Sequence, residues 1–297
     1  MLSPILVKSI LNKHKKRDSW FLDDYSMNPY SSCSFNCLYC YIRGSRYGEN
    51  LADKLSIKSN AVELLNKQLL FRVKKRQYGI IALSSATDPY LPVEKDQQLT
   101  RQCLEIILKH RFPVIIITKS TLVLRDVDLL KRIDEQAILP EDLKKSLKRG
   151  AIISFSLSTL DEKISDKLEA GAPKPAERLE TLLKMKEQGF LAGVNAIPTL
   201  PYLSDSDEQL RAVIKKAKDY RADYILVGGL TLFGSGPADS RTLYYKMLEK
   251  NFPELLTKYK QLYRIFFFPP KKYIEDLAKR VKGFCKEYQI RNSIIAE

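Results

Sequence analysis

The stretch Asn28-Pro29-Tyr30-Ser31-Ser32-Cys33-Ser34-Phe35-Asn36-Cys37-Leu38-Tyr39-Cys40-Tyr41 holds three cysteines, separated by three residues and then by two. Such spacing brings three thiolates within reach of one small inorganic centre. Structural zinc is nearly always held by four protein ligands in a tetrahedron. A four-iron cubane held by three thiolates leaves one iron open to an outside ligand, and chemistry can occur at that open corner. The alternative is a zinc knuckle completed from elsewhere. His14, His110, Cys103 and Cys285 are its candidate fourth ligands, all lone residues without paired spacing of their own.

Outward from this loop, short apolar runs alternate with amphipathic stretches. Ser59 can cap a helix that carries Val62, Leu65, Leu69 and Val73 at helical spacing, and Gly79 breaks it. Ile80-Ile81-Ala82-Leu83 and Val114-Ile115-Ile116-Ile117 read as buried strands on either side of a helix over 96–110. A helix over 122–133, a strand over 151–157, a helix over 176–188 and a strand over 192–197 follow. A helix over 207–220 and the strand Tyr224-Ile225-Leu226-Val227 complete the series. Near-continuously apolar strands bounded by helices mark a parallel sheet covered on both faces. With a strand just before Cys33 there are six, which predicts an α/β fold, a partial (β/α)6 TIM-type barrel.

The tail from about Asp239 reads as helical. Residues 1–235 are therefore expected to form the core barrel with an N-terminal lead-in segment, and 236–297 a helical C-terminal extension packed on the same domain. Asn251-Phe252-Pro253 marks a helix break, but no flexible linker sets the tail apart. Its aromatics, Tyr244, Tyr245, Tyr259, Tyr263 and Phe266-Phe267-Phe268, are expected to pack a terminal layer over the barrel. The other reading is that they stack on bases.

In a barrel of parallel strands function gathers at the carboxyl ends, in the strand-to-helix loops. These loops read Ser84-Ser85-Ala86-Thr87-Asp88-Pro89-Tyr90, Thr118-Lys119-Ser120, Ser156-Leu157-Ser158-Thr159, Pro198-Thr199-Leu200-Pro201 and Gly228-Gly229-Leu230. Hydroxyls suit ribose and carboxylate oxygens, an ammonium balances a carboxylate, and glycine lets backbone approach closely. Thr87, Asp88, Lys119, Ser156 and Ser158 are thus candidate contacts for a zwitterionic, nucleotide-like ligand. Each loop alone is also explained by capping of the next helix. Lys119 could instead pair with Asp126 or Asp128.

A chain of 297 residues with 44% hydrophobic residues can bury a full core. Five cysteines, three of them in one loop, argue against a disulfide framework and for a reducing, cytoplasmic setting. The N-terminus does not read as a secretion signal, and no apolar run approaches membrane-spanning length. The net charge of +15 would draw a polyanion, nucleic acid first. Basic clusters lie at 13–17, 72–76, 144–149, 215–218 and 271–282. The bland alternative is a solvated surface rich in Lys and Glu. Oligomeric state is not legible.

The cysteine run resembles the cluster loop of the radical S-adenosylmethionine (SAM) superfamily. That resemblance implies a [4Fe–4S] cluster on Cys33, Cys37 and Cys40, with SAM chelating the open iron. It also implies a reductant such as ferredoxin or flavodoxin. Reductive cleavage would give methionine and a 5′-deoxyadenosyl radical. Thr87-Asp88-Pro89-Tyr90, Thr118-Lys119-Ser120, Leu124-Arg125-Asp126, Leu168-Glu169-Ala170-Gly171-Ala172-Pro173 and Glu177-Arg178-Leu179 are similar to the spore photoproduct lyase-like, DNA repair photolyase-like branch. The likeness runs from about Asn28 to Gly229 and implies that Tyr39 and Tyr41 flank the cofactor. Lys119 and Ser156 would meet the methionine or ribose part of SAM and Thr87 its carboxylate end. Arg178 would either reach that carboxylate or pair with Glu169.

One departure stands out. The lyase carries a hydrogen-donating cysteine in the loop after the second strand, where this chain has no thiol between Ser84 and Asp88. Cys103 reads as helical core beside Leu99, Leu104 and Ile107, and Cys285 as structural. Tyr41 and Tyr90 are left as candidates for a catalytic radical relay. The resemblance thus implies a radical SAM enzyme with an unidentified substrate, nucleic acid being one candidate. The competing class is a non-enzymatic, basic nucleic-acid-binding protein whose cluster or zinc is structural.

Overall fold

The computed structural model describes residues 3–45, 55–83 and 85–295. Six strands pair side by side, all parallel and in sequence order: β1 (Tyr25–Met27), β2 (Ile81–Leu83), β3 (Val114–Thr118), β4 (Ala151–Ser156), β5 (Leu191–Thr199) and β6 (Ile225–Gly229). A short strand, Asn12–Lys13, adds antiparallel to the outer edge of β1. Among the described residues β1 and β6 do not pair with each other, so the barrel is partial and open.

The register explains why the strands are apolar throughout. Ala82, Ile115 and Ile152 are lateral neighbours on β2, β3 and β4. They form one buried cluster with Ile80, Tyr224 and Leu226 inside the barrel. Val114, Ile116, Ile153 and Phe155, one residue out of phase, belong to the larger core under the helices. Both faces are covered, so alternation disappears. Tyr224 closes the barrel floor. A methyl group on Gly193 would lie 2.6 Å from its ring, and its hydroxyl donates to Ser154 Oγ at 3.1 Å.

Helices α1 (Ala61–Lys74), α2 (Leu99–Lys109), α3 (Val127–Gln136), α4 (Pro175–Glu187) and α5 (Asp207–Asp219) cross between successive strands. Asn60, not Ser59, stands at the N-terminus of α1. The Ser59 hydroxyl instead donates to the Ile5 carbonyl at 3.3 Å. The helix expected over 96–110 is broken at Gln98, whose φ is 50°. The break lets the buried Glu94 carboxylate accept the Thr100 N–H at 2.9 Å. A small second sheet of Ser3–Ile5, Ser56–Lys58 and Tyr30–Ser31, absent from the sequence reading, pins the N-terminus beside the cysteine loop.

Three helices end the chain: α6 (Ser240–Asn251), α7 (Pro253–Leu262) and α8 (Lys271–Glu287). Tyr244, Tyr259 and Tyr263 are buried as a terminal layer should be. The hydroxyls of Tyr244 and Tyr259 meet at 2.9 Å, and Tyr263 donates to the Leu230 carbonyl at 2.9 Å. Phe266, Phe267 and Phe268 depart from that expectation, being 55%, 42% and 42% exposed. Among the described residues no helix is long and apolar enough to cross a membrane.

Candidate active site

The carboxyl ends of the strands open into a cavity of about 710 Å³, and Cys33, Cys37 and Cys40 all line it. The loop that carries them leaves β1 and coils through left-handed turns at Ser32 (φ 69°) and Asn36 (φ 52°). It is braced from behind. Leu38 N–H donates to the Leu168 carbonyl at 2.9 Å and Gly171 N–H to the Phe35 carbonyl at 3.2 Å. A methyl group on Gly171 would lie 2.4 Å from the Ser34 carbonyl oxygen, so only glycine permits the contact. Arg43 Nε donates to the Cys37 carbonyl at 3.1 Å. Burial pushes the Cys33 thiol up to about 11 and that of Cys37 well up, with Lys119 pulling Cys37 back. A metal that binds these thiols must displace their protons to solvent.

Of the four candidate fourth ligands for zinc, only His14 lines the cavity. Its ring is engaged on both sides, by Asp23 Oδ2 at 3.2 Å and Ser26 Oγ at 3.2 Å. His110 bonds Asn66 at 2.9 Å, and Cys103 and Cys285 are buried in the core. A set of three thiols around an open cavity fits a cluster with one uncommitted corner.

Facing the thiols, Tyr39, Tyr41, Thr87, Asp88, Lys119 and Ser156 line the same cavity. Lys119 extends over the Tyr39 ring, its Nζ 5.7 Å from the centroid. Its supposed partners are taken. Asp126 binds Arg125 at 2.8 Å and Arg101 at 2.9 Å, and Asp128 binds Arg101 at 2.9 Å. Tyr41 is 50% exposed, with its hydroxyl donated to the Ser85 carbonyl. Thr87 Oγ1 is buried without a hydrogen-bond partner, and so is Nδ2 of Asn195, a further cavity-lining residue. Buried polar atoms left unpaired at a cavity wall are costly unless a ligand completes them. Together with the Lys119 ammonium they fit the polar groups of a zwitterionic nucleotide-like molecule.

Three candidates are placed differently from the sequence reading, and a fourth, Arg178, takes one of its two alternatives. Tyr90 is fully buried and does not line the cavity; it lies in the core near Asp126 and Arg125, and burial pushes its hydroxyl far up. Asp88 reaches the cavity wall, but its carboxylate accepts Tyr90 N–H at 2.9 Å, the Thr118 hydroxyl at 2.7 Å and Lys119 N–H at 2.8 Å. It ties the loop after β2 to the end of β3. Ser158 sits behind Tyr39, Oγ to hydroxyl at 2.8 Å, and outside the cavity. Arg178 is 1% exposed and pairs with Glu169 at 2.5 Å, while Nε donates to the Pro173 carbonyl at 2.8 Å and Nη1 to the Ser156 carbonyl at 3.1 Å. Of its two alternatives, the ion pair is the one formed. Glu169 in turn accepts the Tyr39 hydroxyl. Burial raises the Glu169 carboxyl and Arg178 pulls it back down.

The sequence reading missed Asn195 and a whole wall. Asn195 is a lone polar residue in the otherwise apolar middle of β5, and that contrast was a usable signal. The wall is the lead-in segment, from which His14, Lys16, Arg17 and Asp23 line the cavity. Asn28 also acts unseen: Oδ1 accepts Ala86 N–H at 2.8 Å and Thr87 N–H at 3.1 Å, shaping the loop after β2. Ser84, quoted with that loop, lies outside the described residues.

An open parallel barrel with three loop cysteines at its carboxyl end defines a class built around a metal cluster and a second ligand. The signature of the Radical SAM superfamily matches residues 27–214, more than half of the chain, and the chain belongs to that superfamily. An uncharacterized protein of Mycobacterium tuberculosis is 28% identical over 292 residues, covering 96% of this chain and 80% of the relative. The radical SAM Nα-GlyT isomerase of Pseudomonas phage M6 is 23% identical over 181 residues, 61% of this chain and 34% of that protein. Among solved structures, spore photoproduct lyase complexed with dinucleoside spore photoproduct matches with a TM-score of 0.64 at 14% identity, covering 97% of this chain and 79% of that one. The fold is spore photoproduct lyase-like.

Proposed function

We propose that this protein is an enzyme that binds a [4Fe–4S] cluster on Cys33, Cys37 and Cys40 and cleaves SAM, directing the radical onto a substrate in the same cavity. The observation that carries the reading is that the three thiols share one cavity with Lys119 and the unpartnered Thr87 Oγ1 and Asn195 Nδ2. Such a cluster, once given one electron by an external reductant, would supply a 5′-deoxyadenosyl radical and methionine from bound SAM. Lys119 would balance the carboxylate of SAM, Thr87 and Asn195 would satisfy its polar atoms, and Tyr39 would set one wall of the pocket. Anaerobic reconstitution, reduction and assay for 5′-deoxyadenosine test it. Stoichiometric zinc without sulfide, or no cleavage from a fully loaded cluster, would sink it.

Lys119→Ala is expected to weaken SAM binding by roughly ten- to hundred-fold. A hydrogen-bonded charge in a partly buried site contributes about 1.5–3 kcal/mol. Equilibrium dialysis with labelled SAM measures it, and an unchanged affinity removes the lysine from the site.

Hydrogen return is the other constraint. Among the described residues lining the cavity, the only thiols are the three in the loop. A thymine-centred radical of the kind left by lesion reversal would find no thiol donor here. The likeness to an isomerase supports chemistry in which hydrogen would come back from 5′-deoxyadenosine, re-forming the 5′-deoxyadenosyl radical with no external donor. Efficient, multiple-turnover repair of the dinucleoside spore photoproduct is therefore not expected. Mass spectrometry of the products settles it, and clean conversion to two thymines would show the thiol argument to be wrong.

A further inference from the structure

Among the described residues the exposed aromatics are Trp20, Tyr41, Phe71, Tyr202 and the run Phe266–Phe268, and that run and Trp20 both approach the end of β6. Ile265, Phe266, Phe267 and Phe268 are 71%, 55%, 42% and 42% exposed, and Trp20, the single tryptophan, is 43% exposed. The four-residue ridge between α7 and α8 is held in place. The Leu232 N–H donates to the Phe267 carbonyl at 2.7 Å, and Phe267 stacks on Phe233 with centroids 4.4 Å apart. Phe266 and Phe268 stand nearly parallel, 7° between planes and 5.3 Å between centroids. Pro269, buried, and Pro270, at the N-terminus of α8, stiffen the exit.

Position connects ridge and cavity. Gly229 lines the cavity, and a methyl group there would lie 2.6 Å from Ile274 and 3.9 Å from Pro269 of the ridge side. At the preceding residue, Gly228, the same methyl would lie 3.4 Å from the Trp20 ring. Trp20 and the ridge side thus meet β6 at adjacent residues of its end, next to the cavity and outside its lining. Cations border both: Lys15 and Lys16 beside Trp20, Arg264 and Lys272 beside the phenylalanines, all exposed. None of the four forms an ion pair among the described residues. Four large apolar side chains displayed together on a held ridge need an occupant. A second copy is disfavoured by the charge of +15, since like charges would be brought together. Exposed aromatic faces flanked in sequence by unpaired cations match an unpaired polynucleotide strand, whose bases present π-faces and whose phosphates are anionic.

We propose that residues 265–268 and Trp20 form a two-sided stacking platform for single-stranded nucleic acid, presenting one nucleotide to the cavity between them. The presentation step rests on reading the cavity as the reaction chamber; the binding step does not. The test is titration of the intact protein with labelled oligothymidylate, oligouridylate, a duplex of equal length and inorganic polyphosphate. Anisotropy and the fluorescence of Trp20 are the two readouts.

A single strand is expected to bind tighter than the duplex and to quench Trp20. Phe266→Ser/Phe267→Ser/Phe268→Ser is expected to weaken binding by roughly ten-fold or more with the salt dependence unchanged. Arg264→Gln/Lys272→Gln is expected to lower the salt slope by about one to two. The single change Phe266→Ser, with folding checked by circular dichroism, guards against a misfolded triple variant. Preference between the thymidylate and uridylate arms assigns DNA or RNA. Strand affinity unmoved by the aromatic changes overturns the proposal, as does unquenched Trp20 at saturation or equal binding of duplex or polyphosphate. A dimer lost in the triple variant, without strand binding, overturns it too. Strand binding by wild-type protein that never cleaves SAM overturns the reading of the cavity and leaves the platform. SAM cleavage without strand binding does the reverse.

Discussion

Cys33→Ala, Cys37→Ala and Cys40→Ala are each expected to reduce 5′-deoxyadenosine formation to background while leaving the barrel folded. The three thiols are the complete cysteine complement of the cavity among the described residues, so each loss would leave two protein ligands for the proposed four-iron cluster. Perturbing only an outer partner of a metal ligand typically costs about 10–100-fold, and removing a ligand costs more. Stability should change by no more than about 1 kcal/mol, within the ordinary range for point changes away from the strands. The loop is held by backbone bonds to Leu168 and Gly171 that do not involve the thiols. Iron and sulfide analysis beside the product assay decides it. A variant with full iron, sulfide and turnover would remove that cysteine from the site.

Arg178→Ala is expected to be the most destabilising single change near the site, by about 3–5 kcal/mol, because it leaves Glu169 as an uncompensated buried charge. Both partners are 1% exposed, and Glu169 also holds the Tyr39 hydroxyl. For a chain of this size that is a fall in Tm on the order of 10 °C. The pH dependence has a definite sign. Burial already raises the Glu169 carboxyl above its ordinary value, and losing Arg178 removes what holds it down. The folded variant then binds the proton more tightly than the unfolded chain does. Its deficit should shrink as pH falls and deepen as pH rises through the raised value. Replacing both partners, Glu169→Leu with Arg178→Met, should recover much of the loss. Thermal unfolding across pH measures all of this, and an Arg178→Ala variant as stable as the parent would show the pair to be dispensable.

The motifs of the spore photoproduct lyase-like branch divide unevenly between chemistry and support. Leu124-Arg125-Asp126 serves packing: Arg125 donates to the Glu94 carbonyl and carboxylate, each at 2.7 Å, and to Asp126 at 2.9 Å. That network surrounds the break at Gln98 and includes the Tyr30 hydroxyl on Glu94. The stretch from Leu168 to Gly171 likewise supports the cysteine loop and does not reach the cavity. Buried charges that are paired and hydrogen-bonded can be as position-specific as catalytic ones, which is why sequence alone did not separate them.

What the sequence by itself determined was whatever is local or periodic. Apolar runs bounded by helices marked five of the six parallel strands, since a strand covered on both faces needs both sets of side chains apolar; the sixth, expected just before Cys33, lies at Tyr25–Met27, and the strand next to Cys33 belongs to the second sheet. The spacing of Cys33, Cys37 and Cys40 placed three thiols in one loop. Tertiary structure alone decided which loop residues face the cavity. Thr87 and Asp88 are neighbours, yet one leaves its hydroxyl unpaired at the wall and the other commits its carboxylate to the protein. Residue type could not tell Lys119, over the Tyr39 ring, from Arg178, locked onto Glu169. Direction is set by partners far along the chain, 130 residues away for Tyr39 and Glu169, and such pairings exist only once the barrel has formed. The lead-in wall with His14 and Asp23, and the ridge of Phe266 to Phe268, lay beyond sequence reach for the same reason. Whether an aromatic packs or faces solvent depends on what other elements leave uncovered.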